Sequence, residues 1–134
     1  MVRAYARRMI RLRDVTYLVH DHDEALAFFV DALGFAVRQD ETFDGGWRRV
    51  VVGPQDGGTG LVLALGAPGA PVGRQVGADV AFFLETDDFA AQHERMLRHG
   101  IRFREEPRRE PYGTVAVFED LYGGAWDLIE PPVG

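Results

Sequence analysis

The sequence of 134 residues predicts one α+β domain made of two tandem βαβββ modules. The modules are expected to form facing, partly open four-stranded sheets with the helices outside. Three observations predict this fold. Short runs in which apolar and polar residues alternate indicate strands. Each half also contains one amphipathic helix that begins at an aspartate and ends at a glycine. Finally, the order of elements in the first half recurs in the second, which indicates an internal repeat.

The first module, residues 11–65, begins with a strand at 15–19 that has one apolar face. A helix follows, because Asp21 is placed as its N-cap and Glu24, three residues on, completes a capping box. Gly34 is the predicted C′ residue that ends this helix. Three further strands are predicted at 35–43, 47–52 and 61–65.

Residues 66–77, GAPGAPVGRQVG, form the predicted linker between the modules. With four glycines and two prolines this segment is unsuited to a helix or to the interior of a sheet. Three roles stay open for it: a crossover between the halves, a mobile flap over a site, and a contact loop in a dimer.

The second module, residues 78–132, repeats the pattern of the first. Asp88 is the predicted N-cap of its helix and Gly100 the residue that ends it. The two lie 12 residues apart, against 13 for Asp21 and Gly34. This agreement in spacing supports a structural repeat. The predicted strands are 80–85, one that begins at Ile101, and a final pair at 115–118 and 126–129 joined by the turn 120–124.

Two charged segments are predicted to lie outside the packed fold. Residues 1–10 are rich in arginine and free of acidic residues, and they lack the apolar core of a secretory signal. We expect a loosely ordered N-terminal arm, or an upstream start codon with Met9 as the older start. The mixed charge cluster at 104–110 is expected to be a solvated loop.

Composition excludes several classes of function. The chain has no cysteine, so disulfides, zinc–thiolate sites and cysteine nucleophiles are ruled out. The net charge of −6 argues against binding to nucleic acid. No apolar run approaches the roughly 18 residues of a membrane span. We therefore expect a cytoplasmic protein without a membrane or nucleic-acid partner.

Asp127 is the residue that does not fit its surroundings. It lies inside an otherwise apolar strand, where a carboxylate needs a partner, a metal or a wet cavity. Asp14 has a similar position in the first strand. If both face one cavity, strand parity places the following residues on its wall: Thr16, Leu18, Leu61, Leu63, Ala81, Phe83, Glu85 and Ile129, with Trp47 and Arg49 if the third strand keeps its parity.

The motifs of the two modules resemble a known family. The first module contains D-x-D-x-A-x-x-F-F-x-x-x-L-G-F from Asp21, and the second V-x-V-F-x-D-x-x-G-x-x-W-D-L-I-E-P from Val115. Together they resemble the vicinal oxygen chelate superfamily. That superfamily contains glyoxalase I, ring-cleaving dioxygenases, fosfomycin-modifying enzymes and the bleomycin-resistance drug-binding proteins.

The resemblance implies four inward-facing strand positions at which the metal enzymes of the family carry His or Glu. In this chain the first is Asp14 and the fourth is Asp127. The second falls on Leu61 or Leu63, and the third on Ala81, or on Asp79 after a register slip of two. Only two of the four can ligate and neither is a histidine, so we predict no metal and no cofactor.

The sequence therefore favours a metal-free small-molecule-binding protein over an enzyme. A resistance or sequestration role, a cationic or hydrophobic ligand, and a homodimer with the pocket completed between chains follow from the resemblance. The predicted ligand-binding residues are Asp14, Asp127, Trp47, Arg49, Phe83, Glu85 and Tyr112.

Three alternatives stay open. The two aspartates could be purely structural, paired with an arginine such as Arg13 or Arg49. The chain could be a glyoxalase I-like lyase or a dioxygenase with a degenerate ligand set. It could also be an interaction module whose site is filled by side chains.

Overall fold

The computed structural model of the chain describes residues 9–133. Residues 1–8, most of the predicted N-terminal arm, lie outside the described part. The first module contains β1 (Asp14–Val19), helix α1 (His22–Leu26) with a π-helical continuation (Ala27–Ala32), β2 (Ala36–Thr42), β3 (Arg48–Gly53) and β4 (Gly60–Leu65). The second contains β5 (Val80–Glu85), α2 (Phe89–Arg98), β6 (Arg102–Phe103), β7 (Arg108–Glu110), β8 (Gly113–Glu119) and β9 (Ala125–Glu130).

The strands form two sheets with the same internal order. Sheet A has the order β1-β4-β3-β2, and its β1 runs parallel to β4. Sheet B has the order β5-β9-β8-β6, with β7 also paired to β8, and its β5 runs parallel to β9. The mixed α+β class with two sheets is confirmed. Within residues 9–133 no helix is long and apolar enough to cross a membrane.

Both helices begin and end where the sequence predicts. The Asp21 carboxylate accepts a hydrogen bond from Glu24 N at 2.9 Å, and Asp88 accepts one from Ala91 N at 3.0 Å. Gly34 has φ of 101°, a left-handed conformation that a side chain would strain. Local signals therefore mark the ends of each helix, and side chains of α2 add hydrogen bonds at the end of the first, where Gln92 donates to Leu33 O and Arg95 to Asp31 O.

One hydrophobic core joins the two modules. Phe29 of the first helix packs edge-on against Tyr17 of sheet A, with ring centroids 5.8 Å apart, and against Trp126 of sheet B at 5.7 Å. Met96 of α2 is fully buried in the same core. The sheet faces that carry Tyr17 and Trp126 are therefore the helix-covered faces. We call the opposite side of each sheet its open face.

Strand pairing corrects one prediction about the open face. Because β1 and β4 are parallel and in register, Val15 lies opposite Leu61 and Tyr17 opposite Leu63. Leu61 and Leu63 are buried in the shared core, so they lie on the helix-covered face and not beside Asp14 as predicted. The residue of β4 on the open face is Val62, which pairs with Thr16.

The segment between β4 and β5 is held against both modules. The side-chain amide of Gln75 accepts a hydrogen bond from Leu18 N and donates one to Thr16 O at 3.1 Å. These are bonds that a neighbouring strand would make with the outer edge of β1. At Gly73 an added Cβ would lie 2.0 Å from the carbonyl oxygen of Tyr122. The segment thus passes too close to the β8–β9 turn for any other residue at this position.

Asp120, in the turn between β8 and β9, ties the modules together. Its buried carboxylate accepts hydrogen bonds from Tyr17 Oη of sheet A and from Trp126 Nε1 at 2.8 Å. It also accepts hydrogen bonds from the backbone N–H groups of Tyr122 and Gly124, each at 2.9 Å. Burial, followed by the nearby Asp120 charge, raises the pKa of Tyr17, so its hydroxyl stays a hydrogen-bond donor.

Replacing Asp120 with alanine is expected to destabilise the fold by about 2–5 kcal/mol. The substitution leaves two buried side-chain donors without an acceptor, and each loss costs about 1–3 kcal/mol. Urea unfolding followed by tryptophan fluorescence measures the change. The exposed turn residue Asp56 supplies the control, because Asp56→Ala removes an aspartate without leaving a buried donor unpaired. Equal losses in the two variants would contradict the role given to Asp120.

Candidate functional site

Sheet A carries Asp14 and Arg49 on its open face. The Asp14 carboxylate lies 3.8 Å from Arg49 Nη2 and 3.5 Å from Arg13 Nε, and only 12% of its side chain is exposed. Arg49 Nε also donates to Gln39 Oε1 at 2.9 Å. Asp14 is therefore within ion-pair distance of the two arginines that the structural alternative named.

Asp127 has a different environment on the open face of sheet B. It pairs in register with Phe83 of β5 and with Val117 of β8, and only 6% of the residue is exposed. Its Oδ1 atom has no hydrogen-bond partner. Among the buried side-chain nitrogen and oxygen atoms of residues 9–133, it is the one without a partner. A buried acceptor without a partner lowers the stability of the folded chain, so the presence of Asp127 at this position needs an explanation.

The pKa of Asp127 reflects this burial. Loss of hydration raises the pKa of the carboxyl above its ordinary value. The positive charge of Arg108 opposes the rise, and the negative charge of Glu105 adds to it. A buried carboxyl with a shifted pKa is typical of a functional site, although ion-pair networks also produce such shifts.

Arg108 is a member of this site that the sequence did not predict. Its guanidinium donates to Glu105 Oε1 at 3.0 Å and to Glu110 Oε1 at 2.8 Å. Glu105 in turn accepts the backbone N–H of Val117, the register neighbour of Asp127, at 2.9 Å. The solvated loop predicted at 104–110 is thus wrong in part, because β7 pairs with β8 and carries Arg108 opposite Val115.

The other predicted residues divide between the two sheets. Phe83 is 66% exposed in the middle of β5, beside Asp127, and Glu85 is exposed two residues further on. Tyr112, in the turn between β7 and β8, is 53% exposed. Trp47 packs on Phe43 at 5.1 Å at the β2–β3 turn of sheet A. The structure therefore groups Phe83, Glu85, Tyr112 and Asp127 on sheet B, and Asp14 and Arg49 on sheet A.

The residues at the strand positions where the metal enzymes of the family carry their ligands do not fit a metal ion in this chain. These positions are occupied by Asp14, Val62 and Asp127, with Ala81 at an irregularity in the pairing of β5 and β9. A tight divalent site generally needs three or more protein ligands. Within the described part of the chain, no three His, Cys, Asp or Glu residues are grouped so that they could hold a metal ion.

Two open cavities lie next to these residues. One of about 690 Å³ is lined by Asp14, Gln39, Glu41 and Val51 of sheet A with the segment 11–13, and no sheet B residue lines it. The other, of about 930 Å³, lies between the modules and is mostly apolar; its lining includes Phe83, Glu85 and Trp126. Asp127 lines neither cavity.

The fold and these strand positions define a family. The chain belongs to the Glyoxalase/Bleomycin resistance protein/Dioxygenase superfamily, whose model matches residues 11–128. Its relatives include an uncharacterized protein of Shewanella frigidimarina, which is 40% identical over 121 residues, covering 87% of this chain and 90% of that protein.

Two solved structures are similar in both fold and sequence. TnmS3, an antibiotic binding protein from Streptomyces sp. CB03234, has a TM-score of 0.78 and 28% identity over 93% of this chain and 98% of its own. UcmS2 has a TM-score of 0.76 and 34% identity over 90% of this chain and 98% of its own. Antibiotic binding thus occurs among the proteins to which this chain is similar.

Asp127→Asn is expected to stabilise the protein at neutral pH. Below the unfolded-state pKa of about 3.9 the carboxyl is protonated in both states. Above its raised folded-state pKa, the native protein carries a poorly hydrated charge, so the cost of Asp127 grows as pH rises through that window. We expect a gain of about 1 kcal/mol in the free energy of unfolding near pH 7 and almost none near pH 3.

Asp14→Asn is the matched control for this measurement. Asp14 has two arginine partners, so the substitution removes favourable contacts and should bring no gain at pH 7. Urea unfolding at several pH values gives both curves. If Asp127→Asn is less stable than the wild type at neutral pH, the Asp127 carboxylate makes favourable contacts and does not destabilise the fold.

Proposed function

We propose that this protein binds a small molecule without a metal, at the open face of sheet B, and that it sequesters its ligand without transforming it. One observation carries the proposal: an exposed phenylalanine, Phe83, lies beside the buried carboxylate of Asp127, which has an unsatisfied acceptor atom. Apolar surface with a few well-placed polar groups is typical of ligand sites. The cytoplasmic location expected from the sequence stays a prediction.

Two further observations support a binding protein over an enzyme. The four strand positions offer two carboxylates, of which Asp14 is already paired with arginines. The relative TnmS3 is an antibiotic binding protein, and the two chains align over most of their lengths. A drug or a toxic metabolite is therefore the class of ligand that we propose.

We also propose a homodimer in which the site is completed by a second copy. The open face of sheet B carries a large apolar side chain in solvent, with Phe83 at 66% exposure. The cavity beside Asp14 takes no residue from sheet B. A two-fold dimer would bring sheet A of one protomer to sheet B of its partner and close the site from both sides.

Binding is expected to be independent of divalent metals. In a thermal-shift screen of hydrophobic and cationic compounds, including antibiotics, hits should raise Tm to the same extent with and without EDTA. A ligand present at 100 times its Kd stabilises the folded state by about 2.7 kcal/mol. Phe83→Ala should lose most of the shift, whereas Leu97→Ala removes another exposed apolar residue, on α2, and should keep it. Abolition of the shifts by EDTA would refute the metal-free site.

A shared site can be tested by mixing two defective chains. Arg49→Ala alters sheet A and Asp127→Leu alters sheet B, so each homodimer has two damaged sites. In a refolded equimolar mixture about half of the dimers are mixed, and each of these has one intact site. About a quarter of the wild-type binding capacity should return. No recovery, in a mixture shown to contain mixed dimers, would place the whole site within one chain.

A further inference from the structure

We infer that the ligand of this site presents a neutral hydrogen-bond donor to Asp127 Oδ1 and lays an apolar group against Phe83. The inference rests on the proposed binding function and narrows it to one class of ligand: an uncharged compound whose hydroxyl or N–H group is attached to a ring-sized apolar body. A permanent cation is not the feature that the site recognises.

The unpartnered atom determines what the ligand must supply. Asp127 is 94% buried (6% exposed), and its Oδ1 is shielded from solvent without accepting a hydrogen bond. A carboxylate oxygen is an acceptor, so the missing partner is a donor. A ligand that provides one satisfies a buried group that is otherwise uncompensated, and hydrogen bonds to charged groups are among the stronger ones.

Arg108 is the basic residue whose charge acts on Asp127, and two carboxylates already balance that charge. Its charge acts on the Asp127 carboxyl and opposes the rise in its pKa. The guanidinium is fixed there by Glu105 and Glu110, at 3.0 and 2.8 Å. An ammonium group brought to Asp127 would lose its hydration, and only one of its three donors would meet the unpaired buried acceptor there. A neutral donor avoids both costs, so the surroundings of Asp127 favour it.

Phe83 supplies the apolar half of the site. Its side chain is 66% exposed although it lies in the middle of a strand, directly in register with Asp127. An aromatic side chain in this position offers a large surface that a ligand ring can cover. Because so much of Phe83 is in solvent, its ring is available to a ligand that approaches Asp127 from the open face.

Three matched probes separate the alternatives. 2-Naphthol has a neutral donor, 2-methoxynaphthalene has the same ring without one, and 2-naphthylmethylammonium has a charged donor. Affinities are measured by titration calorimetry on the full chain. We expect 2-naphthol to bind about tenfold more tightly than the methoxy compound, the ratio that one such hydrogen bond gives. The ammonium probe should bind no more tightly than 2-naphthol.

Variants show whether Asp127 is the acceptor. Asp127→Leu should remove the difference in affinity between 2-naphthol and the methoxy compound. Asp127→Asn, which keeps the shape, should reduce the difference to about threefold, because a neutral acceptor makes a weaker hydrogen bond. Asp31→Leu, a matched change at an exposed position of the first helix, should preserve the tenfold difference.

The possible failures are distinguishable. If the ammonium probe binds tenfold more tightly than 2-naphthol and loses that advantage in Asp127→Leu, the site recognises a cation and this inference is wrong. Equal affinities for 2-naphthol and the methoxy compound would also overturn it and leave small-molecule binding in place. If neither these probes nor any compound of the thermal-shift screen binds, the proposed function itself fails.

Discussion

The buried carboxylate of Asp120 is the interaction on which the arrangement of the two modules depends. It gathers donors from three places: the hydroxyl of Tyr17 in β1, the indole of Trp126 in β9, and the backbone of its own turn. Tyr17 and Asp120 are 103 residues apart in the sequence, so the bond between them joins the first strand of one module to the last turn of the other. The shared aromatic core around Phe29 and Trp126 is assembled beside this junction.

Close packing around Asp120 leaves little freedom there. At Gly124 an added Cβ would lie 2.6 Å from Tyr17 Oη and 2.8 Å from Asp120 Oδ2. The same turn is held from outside by Tyr122, whose hydroxyl donates to Glu24 at 2.9 Å, and by the close approach of Gly73. A fully satisfied buried network of this kind makes one relative arrangement of the modules strongly preferred. It thereby fixes which face of each sheet is covered and which stays open.

Asp120 and Asp127 are both buried aspartates, yet they have opposite relations to stability. Asp120 has a donor for each of its oxygens, whereas one oxygen of Asp127 has none. Proteins tolerate local energetic costs at functional sites when the rest of the fold offsets them. The contrast supports a structural role for the first residue and a ligand-binding role for the second.

Features set by nearby residues, such as helix caps, could be predicted from the sequence, whereas strand orientation and pairing between distant segments could not. The caps at Asp21 and Asp88 bond to neighbours in the chain, and Gly34 adopts its left-handed turn locally, so their spacing was sufficient to predict them. Asp127 was also visible, as a charge within an apolar strand. The orientation of β4 was not, because Leu61 to Leu65 is apolar throughout and has no polar residue to mark a face. Arg108 was missed because it lies in a charged segment after a proline, where only pairing with β8 reveals a strand.

The central claim is that a ligand reaches the Asp127 carboxylate without a metal, and carbon NMR of that carboxyl group tests it most directly. With aspartate labelled at the carboxyl carbon and EDTA present, the Asp127 resonance is followed while a compound that raises Tm is added. The account predicts that this resonance shifts and saturates with the same Kd as binding, while the Asp120 resonance stays unchanged. A compound that binds under these conditions without moving the Asp127 resonance would contradict it.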